Sequence, residues 1–267
     1  MNFSDTHCHL DFPDFDNDRD ALLATGRERG VRRILIPGVT ASQWPGLQRL
    51  AASSDALHYG LGLHPWFLSS HREDDLSELD RLLQSSAAVA VGEIGLHGPS
   101  GNMDRQVHLL EAQLELARSH QLPVILHQVG AHNELVRCLK RVAPPCGGSL
   151  HAFSGSFEMA QEYRNFGLHL GIGGVITYPR ARKTRRAVAR LPAETLVLET
   201  DGPDMPLCGF QGVRNSPLQI PAVFRALCAL RGVTGAAERT ELAAQLERNA
   251  TAVFGAPPSA ARGSAHQ

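Results

Sequence analysis

At 267 residues, with 43% hydrophobic and 20% charged side chains, the chain has the composition of a globular protein long enough for one full α/β barrel. A formal net charge of −1 excludes a protein that coats nucleic acid by bulk electrostatics, while leaving room for a local phosphate site. No apolar run approaches a membrane span, the start Met1-Asn2-Phe3 lacks a secretory leader's features, and five scattered cysteines form no CxxC pair. A cytoplasmic protein with no membrane association and no obligate protein partner is expected.

Short β-branched or apolar runs alternate with helical patterns, the arrangement of βαβ units on a parallel sheet. In chain order the predicted strands are Phe3–His7, Arg33–Ile36, His58–Leu61, Ala88–Glu93, Val124–His127, Ser149–His151, Leu168–Ile172 and Leu196–Thr200. Helices are expected at Arg19–Arg29, Gln43–Ser53, Leu76–Ser85, Met103–His120, Asn133–Val142, Phe157–Phe166 and Lys183–Arg190, with two more at Pro217–Leu230 and Ala236–Val253. Within the fourth of these, Val107, Leu110, Leu114 and Ala117 recur at helical spacing. The pattern predicts a single (β/α)8 TIM barrel over residues 1–255, followed at 256–267 by a flexible tail rich in Ala, Pro, Ser and Gly.

Six potential metal ligands fall at or just past the ends of predicted strands: His7, His9, Glu93, His127, His151 and Asp201. A barrel gathers the C-terminal ends of its strands on one face, so these residues are expected to converge in one cup. His7 and His9 are two apart, which on a strand puts both on one face, and Asp5 shares their parity and is placed to orient one imidazole. Glu93, between two glycines, is positioned to bridge two cations. Asp201 is expected to ligate one metal and to accept a proton from the attacking water, with Glu199 as support. Cys8, of opposite parity, should point away from the histidines. Four imidazoles and two carboxylates suit two divalent ions, with Zn, Mn, Ni and Mg all compatible with the donors.

The chain resembles the TatD family of metal-dependent hydrolases, an amidohydrolase-like branch of the barrels, and within it the YjjV-like members. The matching segments are Asp-Thr-His-Cys-His-Leu at 5–10, Gly-Leu-His-Pro at 62–65, Val-Gly-Glu-Ile-Gly-Leu at 91–96 and Leu-Pro-Val-Ile-Leu-His at 122–127. They continue with His-Ala-Phe-Ser-Gly at 151–155, Gly-Gly-Val-Ile-Thr-Tyr-Pro-Arg at 173–180 and Leu-Glu-Thr-Asp-Gly-Pro-Asp-Met-Pro-Leu at 198–207. The resemblance implies a two-metal site in which His7, His9 and Asp201 hold one ion and His127 and His151 the other, with Glu93 between them. It also implies deoxyribonuclease activity of a 3'-5' exonuclease-like kind. Two positions depart from the family pattern: His97 stands where an Asp is common, and Gln128-Val129 where a Ser-Arg pair often follows the fifth-strand histidine.

The leading expectation is therefore a two-metal phosphodiesterase acting on DNA or a small phosphodiester. The alternatives are hydrolysis of a small ester, lactone or amide in the same cup and, third, a non-catalytic metal-binding protein. His64 is expected to line the cup and contact substrate or to cap its loop. Arg180, beside Arg182, Lys183, Arg185 and Arg186, is the candidate phosphate contact after the seventh strand. Trp66, Phe67 and Phe153 are candidates for an apolar wall or a base-stacking platform.

Overall fold

The computed structural model describes residues 1–255; the expected flexible tail at 256–267 lies outside the described residues. Eight parallel strands pair in chain order in one sheet: β1 (Phe3–Asp5), β2 (Val31–Pro37), β3 (Leu57–Leu61), β4 (Ala90–His97), β5 (Val124–Val129), β6 (Gly148–Leu150), β7 (Leu168–Ile172) and β8 (Leu196–Leu198). Backbone hydrogen bonds from Thr6 N to Leu198 O and from Asp201 N to His7 O, both 2.9 Å, join the two ends of the sheet. The result is the predicted (β/α)8 TIM barrel.

The strands read as apolar runs because they are covered on both faces. In β2 only Arg32 is exposed, and every residue of β4 is buried. The helices are α1 (Arg19–Glu28), α2 (Trp44–Ala51), α3 (Asp75–Ser85), α4 (Met103–His120), α5 (His132–Arg141), α6 (Phe157–Arg164), α7 (Arg182–Arg190), α8 (Ile220–Arg231) and α9 (Ala236–Phe254). α5 shows their common logic: Leu135, Val136, Cys138 and Leu139 pack inward while Arg137, Lys140 and Arg141 face water. α9 ties down the first and last strands. Its Glu247 carboxylate accepts from Ser4 N and Ser4 Oγ, and Asn249 Nδ2 donates to the carbonyls of Ala193 and Leu196, each at 2.7 Å. Among the described residues no single helix is long and apolar enough to cross a membrane.

Element boundaries differ from the sequence expectation where the candidate ligands lie. β1 and β8 stop at Asp5 and Leu198, so His7, His9 and Asp201 sit in the segments beyond them, not on the strands. β4 and β5 run on to His97 and Val129, paired with each other to the end, so Glu93 and His127 are within strands and not at their ends. Glu93 falls where the β4–β5 register shifts, between Val91 and Ile94, and its backbone N–H turns to the carbonyl of Gly38 at 2.9 Å. That detour presses β4 against the segment after β3, where a Cβ on Gly62 would stand 2.8 Å from the Glu93 carbonyl oxygen. Beyond the shift, Gly95 has φ +148°, and a Cβ there would stand 2.0 Å from the carbonyl oxygen of His127.

Gly95→Ala should therefore push β5 away from β4 and destabilise the fold by about 1–3 kcal/mol or more, the usual range for overpacking. Urea unfolding followed by circular dichroism reads this directly: a lower midpoint is expected, and an unchanged midpoint would show that β4 and β5 tolerate separation here.

Candidate metal centre

All six predicted ligands meet above the barrel, organised around Glu93, which is 2% exposed. One carboxylate oxygen, Oε2, faces His7 Nε2 at 3.2 Å and His9 Nε2 at 3.5 Å. Asp201 Oδ1 closes that side, 3.4 Å from His7 Nε2 and 3.7 Å from His9 Nε2. The other oxygen, Oε1, faces His64 Nε2 at 3.0 Å, His127 Nδ1 at 3.1 Å and His151 Nε2 at 2.8 Å. The rings of His7 and His151 stack at 4.0 Å between centroids, bringing the two sides together. Three groupings have ligand atoms mutually close enough to hold a cation: His7, His9 and Asp201; His7, Glu93 and His151; and His64, Glu93 and His127.

The chemistry of this donor set fits metal. Nε2 of His7, turned toward Glu93 and Asp201, is buried without a well-formed hydrogen bond among the described residues. Buried polar atoms are normally satisfied, so this nitrogen, set among carboxylate oxygens and further imidazoles, marks a place suited to a cation. The electrostatics agree. Burial alone would neutralise the Glu93 carboxyl, but His151, His64 and His7 around it hold its pKa well below the usual carboxylate range. Burial holds His7 well below its ordinary value and takes His9 and His127 down to about 4, leaving neutral imidazoles whose lone pairs are available. His151 is the exception: burial opposes its charge, yet Glu93 and Asp201 push it up to about 10. Asp201 is raised to about 7, chiefly by burial and then, against the opposing pull of His151, by Glu93.

His64 lines the cup and also caps its loop. Its Nδ1 accepts from Trp66 N at 3.0 Å, capping the 3-10 turn Pro65–Ser70, while its Nε2 points to Glu93. An imidazole that accepts at Nδ1 carries its proton on Nε2, so His64 presents a donor, not a lone pair, to the centre.

Asp5 does not orient an imidazole. Its oxygens are taken by Thr200, through N at 3.0 Å and Oγ1 at 2.6 Å, and by the backbone N–H of His7. It fixes the segments that carry His7 and Asp201, and burial raises its pKa to about 7. Asp201 itself is held at φ +59°, between the Asp5–Thr200 bonds and Asn215, whose Nδ2 donates to the Thr200 carbonyl at 2.7 Å. Glu199 supports from below by accepting from Ala152 N next to His151, and burial raises it to about 8. Cys8 turns away from both histidines toward the Gly202 carbonyl, as its parity predicts.

A cavity of about 200 Å³ opens over the carboxylates. His9, His64, Glu93, His127, Asp201 and Asp204 form its polar floor, and Phe12, Val39, Trp66 and Phe67 its apolar wall, with no Lys or Arg among the lining residues. Trp66 is 62% exposed and leans on the ring of His97. Phe153, by contrast, is buried packing. Arg180 is exposed, with its guanidinium 5.0 Å above the Tyr178 ring, and does not line the cavity. Arg182, Arg185 and Arg186 face a separate hollow beside Leu230 of α8.

Both departures from the family pattern have a local structural place. With its amide oriented to satisfy the surrounding groups, Gln128 accepts through its side-chain oxygen from the N–H groups of Gly130, Ala131 and His132 at 3.2, 2.9 and 3.0 Å, capping α5. His97 Nδ1 lies 2.9 Å from Nε2 of His127. This contact was beyond sequence reasoning, which ended β4 four residues earlier.

The chain can be set against known proteins on this basis. The family model for TatD related DNase matches residues 4–255. The uncharacterized metal-dependent hydrolase YjjV of Escherichia coli K12 is 44% identical over 259 residues, covering 96% of this chain and 98% of that protein. The crystal structure of that TatD homologue superposes with a TM-score of 0.90 at 43% identity, covering 96% of this chain and 98% of the other. A protein of Erwinia amylovora named 3'-5' ssDNA/RNA exonuclease TatD is 32% identical over 262 residues, covering 94% of this chain and 99% of its own length. This chain belongs to the TatD family and is a metal-dependent hydrolase.

Proposed function

We propose that the cup is a dinuclear centre that hydrolyses phosphodiester bonds at the end of a DNA strand or in a small nucleotide fragment. The observation that carries the two-ion reading is the division of labour at Glu93, whose two oxygens face separate sets of donors. His7, His9 and Asp201 would hold one ion and His127 and His151 the other, with Glu93 shared. The nitrogen-rich set favours Zn, Mn or Ni over Mg. Two such cations would polarise the scissile ester and favour ionisation of a nearby water.

The chain's own groups supply the rest. Asp201 accepts the proton of the attacking water, a general-base role open to a carboxylate that lines the cup beside His7 and His9. His64 Nε2–H donates toward Glu93 and toward a substrate oxygen entering beside it. Phe12, Trp66 and Phe67 exclude water and give the terminal base an aromatic face. The small cavity favours a chain end over the interior of a strand, and the exonuclease name of the Erwinia relative supports a nucleic-acid substrate. Arg180, exposed beyond β7, would meet a phosphate farther along the strand. A second reading, hydrolysis of a small ester, lactone or amide, is favoured by the absence of Lys and Arg from the cavity lining.

Four outcomes test this. Loading the metal-free protein at pH 7 should release at least about one proton per chain, because His151 carries a proton that ligation must displace. Calorimetry in buffers of different ionisation enthalpy measures this, and a buffer-independent heat would refute it. Asp201→Asn should fold normally yet lose at least ~10²-fold in turnover at matched metal content, the scale of general acid–base assistance; near-native turnover would remove Asp201 as proton acceptor. Finally, metal-reconstituted protein should cut single-stranded DNA and a generic phosphodiester in preference to an ester panel. Arg180→Ala should weaken DNA binding and flatten its salt dependence by about 0.7 in log–log slope. Activity on the esters alone would transfer the assignment to the second reading.

A further inference from the structure

His97 is not among the ligands, but it is built into the centre with unusual care. It is the last residue of β4, and it is buried. The amide of Gln106 on α4 grips its backbone from both sides: Oε1 accepts from His97 N at 2.8 Å and Nε2 donates to His97 O at 3.1 Å. Its ring lies edge to edge with that of His127 and nearly in its plane, with centroids 5.2 Å apart and planes 18° apart, and the Trp66 ring leans on it at 4.7 Å. The backbone clamp and the two ring contacts fix where Nδ1 points, which is at His127 Nε2, 2.9 Å away.

The consequence follows from proton counting on neutral imidazoles. His127 turns Nδ1, not Nε2, toward Glu93 Oε1 and His151 Nε2, at 3.1 and 2.9 Å. A lone pair at Nδ1 requires the proton on Nε2, and a proton on Nε2 requires an acceptor there. When His127 ligates through Nδ1, His97 Nδ1, 2.9 Å from that Nε2, is the acceptor, which in turn places the proton of His97 on its own Nε2.

We infer that His97 is a positioning residue that sets the tautomer and ring angle of His127, so that His127 enters the centre as an Nδ1 ligand on the Glu93 Oε1 side. This rests on the dinuclear reading proposed above. Outer partners of this kind typically change metal affinity by 10- to 100-fold when removed.

Two variants separate the hydrogen bond from the packing. His97→Phe keeps a ring between His127 and Trp66 but has no acceptor, whereas His97→Asn keeps an acceptor at the place of Nδ1. In competition titrations of metal-free protein with zinc, wild type should take up two ions. His97→Phe should bind one of them roughly 10- to 100-fold more weakly, with the other unchanged, and His97→Asn should recover most of the loss. In the zinc-loaded wild type, ¹⁵N NMR of the imidazoles should show a proton retained on His127 Nε2. Equal affinities in wild type and His97→Phe, equal losses in both variants, or zinc on His127 Nε2 would each overturn the positioning role. Wild type that takes up fewer than two ions would instead defeat the dinuclear reading, and this inference with it.

Discussion

The centre depends on a single buried carboxylate. An ionised Glu93 in this position is tolerated only because donors surround it, since an unpaired buried charge would be far too costly to keep. Here the compensation is divided. One oxygen meets His7 and His9, and the other meets His64, His127 and His151. In the metal-free protein the proton on His151 supplies the balancing positive charge. Two cations would supply it more completely, and they would also satisfy Nε2 of His7, which faces the centre without a well-formed hydrogen bond. The same arrangement thus stabilises the free protein and prepares it for metal.

The barrel makes that arrangement rigid. Each donor group is anchored by a backbone feature that does not depend on the metal. The Asp5–Thr200 bonds lock together the segments after β1 and β8, and so fix His7 and Asp201 relative to each other. The register shift in β4 turns Glu93 toward the centre, and the glycines around it make room for that detour. On the outside, Glu247 and Asn249 of α9 hold the first and last strands together. Flexible long side chains play little part, which suits a centre whose donors must stay in place while substrates come and go.

Much of this was legible in the sequence because barrel topology converts sequence order into spatial order. Once eight apolar runs are recognised, residues near their ends must share one face, and His7, His9, Glu93, His127, His151 and Asp201 do so. What could not be read depended on register and on competition between partners. β4 and β5 stay paired past their ligands as far as His97 and Val129, and this carries His97 onto His127, a contact with no signature in local pattern. Asp5 has the parity to support an imidazole, but Thr200 sits closer and satisfies it first. The basic cluster around Arg180 looked like one patch in sequence. In the fold Arg180 precedes α7 and leans on Tyr178, while Arg182, Arg185 and Arg186, three and four residues apart, share one face of α7 beside α8. Gln128 likewise reads as a lost phosphate contact but serves as the cap of α5.

The central claim, that Glu93 is shared between two cations, is tested most directly by anomalous diffraction from crystals grown with saturating zinc or manganese. The account predicts two peaks per chain flanking Glu93, one beside His7, His9 and Asp201 and the other beside His127 and His151. A single peak at saturation, or a Glu93 carboxylate turned away from both ions, would contradict it.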